Sequence, residues 1–129
     1  MTSMDRYPER DSVTQDNQLI EASYTLTLNE KRLLLLGASK INPLDMPRKD
    51  EPLSFEITAD EWLQRFPEEN PYTTMKRAAD SMLTRYVTLH PKTGHTKKMA
   101  WFDSVEYIDG EARVKIQFGW SVSLRLAGM

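Results

Sequence analysis

The sequence contains no cysteine, which excludes disulfides, thiolate metal sites and cysteine nucleophiles together. Only 5 of its 129 residues are glycine, and none belongs to a Gly-rich loop ending in Lys-Ser or Lys-Thr, so a nucleotide-hydrolase phosphate cradle is excluded too. No apolar run approaches the ~20 residues a membrane span requires. Residues 1–16 are polar and charged and lack the apolar centre of a signal peptide. An excess of positive charge is missing as well, since 17 Lys and Arg face 19 Asp and Glu for a net charge of −2. These absences point to a cytoplasmic protein with no membrane contact. They leave room for a local basic patch, because nucleic-acid binding depends on where the cations cluster.

A chain of 129 residues fits one domain that buries roughly two-thirds of its unfolded surface. Residues 1–16 read as a flexible arm and residues 17–129 as the domain. Its organising element is an apolar block. Thr27 and Glu30 have the spacing of a capping box, which starts a helix over about Leu28 to Ile41. Leu33, Leu34, Leu35, Leu36, Ala38 and Ile41 cover most of its circumference, so burial on more than one side is expected. An Asp at Leu35 is then expected to unfold the domain.

Beyond a proline-containing loop over residues 42–52, Leu53–Ile57 alternates as a half-buried strand. Thr58 and Glu61 repeat the capping-box spacing and open a short helix bearing Trp62, Leu63 and Phe66. Thr73 or Thr74 is expected to cap a third helix, running to about Arg85, whose core face is Met75, Ala78, Ala79, Met82, Leu83 and Tyr86. A strand over 86–90 follows, then a hairpin of Met99–Ile108 and a return strand with Val114, Ile116 and Phe118, turned at Asp109-Gly110. Residues 120–129 form a last amphipathic piece. This order is that of an α+β winged helix: a helix-turn-helix with a β-hairpin wing beside it.

The segment Asn17-Gln18-Leu19-Ile20-Glu21-Ala22-Ser23-Tyr24-Thr25-Leu26-Thr27, continued by Glu30-Lys31-Arg32-Leu33-Leu34-Leu35, resembles the start of iteron-binding plasmid replication initiators of the Rep family. The strand and helix over 55–66, the helix and strand over 78–89, and Trp101-Phe102 fall where that family has its corresponding elements. The resemblance implies the first of two tandem winged-helix domains. It implies binding to double-stranded origin DNA at iterons or operator, mostly through phosphate contacts, and a homodimer that represses its own gene. Host replication proteins are further partners it implies. The alternatives are a winged-helix transcriptional repressor, or a protein-interaction module that does not bind DNA.

The candidate DNA-binding residues are Thr73, Thr74, Arg77, Ser81 and Thr84 on the outer face of the third helix, with Lys97 and Lys98 at the start of the wing region. Arginine can grip phosphate bidentately, and the hydroxyls can donate to phosphate oxygens. For self-association, the strand Met99–Ile108 is a candidate edge for strand addition, with Trp101, Phe102 and Tyr107 as the dimer interface. Catalytic residues are expected to be absent, because adjacent Asp60-Glu61 and Glu68-Glu69 point apart. His90 and His95 lack the further ligands a metal needs, so neither metal nor cofactor is expected.

Overall fold

The computed structural model of the chain describes residues 19–42, 47–48, 51–90 and 94–127. The expected arm over 1–16 lies outside the described residues, as do most of the loop over 42–52 and the middle of the turn over 90–95. A helical turn over 19–23 leads into α1, Leu28–Lys40. Then come β1 (Ser54–Thr58), α2 (Ala59–Arg65), α3 (Pro71–Met82), β2 (Tyr86–Leu89), β3 (Lys97–Ala100), β4 (Phe102–Ile108), β5 (Arg113–Phe118) and α4 (Trp120–Ala127).

Both capping boxes form. At α1 the Glu30 amide donates to Thr27 Oγ1 at 3.2 Å and the Thr27 amide donates to Glu30 Oε1 at 2.7 Å. The Thr58–Glu61 pair closes in the same way ahead of α2. Each box satisfies two amides that a helix start otherwise leaves unpaired. The third helix begins differently from expectation. It opens at Pro71, with Asn70 as a cap that makes no side-chain bond, so neither Thr73 nor Thr74 caps it. Proline fits this first position because its ring presets φ and no amide is lost.

β1, β5 and β4 form an antiparallel sheet in that order, with Phe55 opposite Ile116 and Val105 also opposite Ile116. β2 and β3 form a separate antiparallel pair. The expected continuous strand over 99–108 is therefore two strands in two sheets. Trp101 is the joint: its amide donates to Arg85 O at 3.3 Å beside β2, and its carbonyl accepts from the Gly119 amide at 3.0 Å beyond β5. Gly119 permits this crossing, since a Cβ there would lie 2.3 Å from Ala100 O. The β4–β5 connection also differs from a two-residue turn. It is a 3-10 turn over Asp109–Glu111 followed by Ala112 in the left-handed region at φ 47°.

Helices α1, α2 and α3 pack together and onto the three-stranded sheet. Leu33, Ile57, Trp62, Met75, Met82, Val114, Ile116 and Phe118 are fully or almost fully buried between them. Phe55, Phe102 and Phe118 form an aromatic cluster with centroids 5.2–6.2 Å apart. Gly37 lets α1 approach it, for a Cβ at that position would meet the Phe55 ring at 2.4–2.8 Å. α4 closes the far end, where Ser123 Oγ accepts from the Leu53 amide at 3.1 Å.

Two expectations about burial fail. α1 buries one stripe, Glu30, Leu33, Leu36 and Gly37, whereas Leu35 is 58% exposed. The core lies on one side of α1 only, so the leucine run is half core and half surface. Exposed Leu35 instead borders an open apolar groove with Leu19, Ile20, Tyr24, Leu34 and Trp101. On α3, Met75, Ala78, Ala79 and Met82 are buried as expected, but the helix ends at Met82. Leu83 and Tyr86 thus leave its apolar face and are exposed.

Candidate functional site

The surface around α3 is bounded on two flanks. On one flank the β4–β5 hairpin is tied to it. Tyr107 OH donates to Asp80 and lies 3.4 Å from Lys76 O, while Tyr72 OH donates to Asp109 Oδ1 at 2.7 Å. Lys76 lies over the Tyr72 ring at 4.5 Å and reaches Asp109 at 3.7 Å. Burial and the Asp109 carboxylate push the Tyr72 phenol up to about 12. Tyr107 is raised further, by burial and by Asp80. The tip of this hairpin carries Asp109 and Glu111, so it offers no cations of its own.

On the other flank, α3 meets the start of α1. Glu30, 1% exposed, accepts a hydrogen bond from Ser81 Oγ and another from Arg85 Nε at 3.1 Å. Burial alone raises its pKa, but the bonds from Ser81, the Thr27 amide and Arg85 outweigh that. The carboxyl is held below its ordinary value of 4.5.

Between the flanks runs an exposed stripe of Thr73, Arg77, Asp80 and Thr84. Spacing of four and three residues keeps Thr73, Arg77 and Asp80 on one face of α3, and Thr84 follows just past its end. Arg77 makes no ion pair among the described residues. Thr74, Arg77 and Ser81 line one shallow hollow with Thr27 and Asn29 of α1. The hydroxyls are less available than the sequence suggests. Thr74 donates to Glu68, Ser81 to Glu30, and Thr84 to Ser81 O at 2.7 Å. A hydroxyl has one proton, so these three are committed inside the chain, and Thr73 alone of the four makes no such bond among the described residues.

Lys97 and Lys98 are exposed, but on β3 rather than on the β4–β5 hairpin. Lys98 stands opposite Thr88 on β2, directly after α3. They belong to a second hairpin, distinct from the one packed against α3. Trp101 and Phe102 are 1% and 2% exposed within the core, so almost none of either side chain is presented to a partner in this conformation. Tyr107 is half-buried with its hydroxyl engaged by α3. Sequence reasoning missed the role of Glu30 beyond its cap. It also missed Arg85 as anything more than a flanking cation. The partners Ser81 and Arg85 lie 51 and 55 residues further along, beyond any local pattern.

A helix-turn-helix of α2 and α3 follows β1, and the antiparallel β4–β5 hairpin lies beside α3. This is the arrangement of a winged-helix domain. The chain belongs to the family described as Initiator Replication protein, WH1, which matches residues 12–127. Among solved structures it is similar to the WH1 domain of MSBI1.176, a replication protein isolated from a multiple sclerosis patient. The two share 28% identity over 87% of this chain and 89% of that one, with a TM-score of 0.61. Comparison with curated proteins gave no match. No helix among the described residues is long and apolar enough to cross a membrane.

Proposed function

We propose that this chain is the N-terminal winged-helix domain of a plasmid replication initiator and binds double-stranded DNA at repeated origin sites in the cytoplasm. The observation that carries this reading is the exposed stripe on α3. Arg77 stands there without a carboxylate partner among the described residues, flanked by Thr73. The exposed pair Lys97 and Lys98 follows on the next hairpin. Cations so placed position a domain on the phosphate backbone and carry little sequence information themselves. The domain acts by binding, without catalysis, metal or cofactor, and host replication proteins join at the origin.

Dimerisation for autorepression is part of the same reading. Among the described residues β4 pairs only with β5, and its other edge is the candidate for strand addition. Since Trp101 and Phe102 are internal, the backbone of β4 carries that pairing. A second reading, a protein-docking module, is favoured by the apolar groove around Leu35 and Tyr24.

The test is fluorescence anisotropy of a labelled duplex carrying direct repeats, compared with a scrambled duplex and with Arg77→Ala. Binding weakened by the substitution supports the reading. Absence of binding to either duplex overturns it in favour of the docking module. Sedimentation that shows only monomer at high concentration overturns the dimer.

A further inference from the structure

We propose that Arg85 is a phosphate-binding residue of the DNA interface, and that the buried Glu30 is the positioning residue that presents it. The proposal rests on the DNA-binding reading above and extends it to a residue pair outside the exposed stripe.

Arg85 sits at the root of the β2–β3 hairpin with its backbone fixed on both sides. Its amide donates to Met82 O at 3.2 Å, and its carbonyl accepts from the Trp101 amide at 3.3 Å. The side chain is held by one nitrogen only, Nε, which donates to Glu30 Oε2 at 3.1 Å. Its terminal nitrogens make no hydrogen bond among the described residues, and the side chain is 44% exposed against 1% for Glu30. The carboxylate is itself immobile. Glu30 Oε1 is taken by the Thr27 amide at 2.7 Å, and Oε2 also accepts the Ser81 hydroxyl.

An arginine anchored at Nε has already lost much of its rotamer freedom, so gripping an anion orders less of it. The pair of terminal N–H groups left outward is the fork that matches phosphate oxygens bidentately. The location fits as well. Arg77 and Ser81 are one helical turn apart on α3, and Ser81 and Arg85 meet on the same Glu30 oxygen. Arg77 therefore lies one turn from the serine that shares the Glu30 oxygen with Arg85, and the Lys98 hairpin begins immediately beyond Arg85.

The competing role is structural, with Arg85 serving only to neutralise Glu30. The two roles separate in a salt titration of DNA affinity. With folding confirmed by melting curves, Arg85→Ala is expected to weaken binding roughly tenfold at 0.1 M salt. It should also flatten the slope of log affinity against log salt by about 0.9, as one lost phosphate contact requires. Glu30→Gln gives opposite signs for the two roles. Removing a negative charge strengthens DNA binding if Glu30 is only a nearby charge, and weakens it if Glu30 positions Arg85. If Glu30→Gln does not fold, Ser81→Ala loosens the same carboxylate, and weakened binding at an unchanged salt slope is the expected result. Arg85→Ala with wild-type affinity and slope, while Arg77→Ala is impaired, overturns this proposal and leaves the DNA-binding reading standing. A wild-type protein that binds no DNA overturns both.

Discussion

Ser81 on α3 donates its hydroxyl hydrogen bond to the Glu30 carboxylate on α1, across 51 residues of chain. That carboxylate also caps α1 and holds Arg85, so one buried group joins the first helix, the second helix of the helix-turn-helix and the root of a hairpin. Glu30→Ala is expected to cost about 2–4 kcal/mol, the range for losing charge-assisted bonds to a buried group. Urea unfolding at pH 7 measures it. The pH dependence has a definite sign. The folded-state value lies below the ordinary 4.5, so this contribution is complete above 4.5 and is lost as pH falls through the lower folded value. Glu30→Gln should remove that part of the acid destabilisation.

Leu33 and Leu35 are two residues apart and opposite in consequence. Leu33 is fully buried, and Leu33→Ala should cost about 2–5 kcal/mol. Leu35 is 58% exposed, so Leu35→Asp should stay within about 0.5 kcal/mol of wild type. Paired thermal melts test this, and a collapsed melt for Leu35→Asp would restore the all-round burial of α1 expected from composition.

Gly37→Ala should destabilise, although alanine is the better helix former by about 1 kcal/mol. The added Cβ would overlap the Phe55 ring, which is locked against Phe118 at 5.2 Å and cannot swing away. Overpacking costs up to about 3 kcal/mol, and an overlap this close outweighs the propensity gain. A rise in denaturation midpoint would show that the ring yields.

Tyr107→Phe should cost about 1 kcal/mol and speed amide exchange at the β4–β5 tip, because it frees the hairpin from Asp80. Alkaline titration provides a second check. Tyr72 and Tyr107 both have raised folded-state values, so the stability they give is present below the ordinary 10.0 and lost as pH climbs above it. Tyr107→Phe should blunt that alkaline loss, with exchange and melting both read on the same samples.

The two capping boxes were legible in the sequence, whereas the start of α3, the β4–β5 turn and the non-local contacts were not. The Thr27–Glu30 and Thr58–Glu61 boxes act over three residues, and both helices start where those pairs stand. The core face of α3 followed from spacing until Met82, where the helix ends and Leu83 and Tyr86 turn outward. The strand break at Trp101 depends on backbone bonds to Arg85 and Gly119, which no local pattern contains. Its trace in the sequence is the adjacent pair Trp101 and Phe102, two large apolar residues that one alternating strand would send to opposite faces; the structure buries both. For the same reason Lys97 and Lys98 were legible as cations but not as members of a separate hairpin. The commitment of the Thr74, Ser81 and Thr84 hydroxyls likewise required the folded chain.

On the proposed reading, the exposed cations of α3 and the β2–β3 hairpin hold the DNA backbone. Affinity of the protein for repeat-containing duplex, measured from about 50 to 200 mM salt, tests it most directly. A linear fall of log affinity with log salt is expected, flattened by about 0.9 in Arg77→Ala and again in Lys98→Ala. Wild-type affinity and slope in both variants would contradict it.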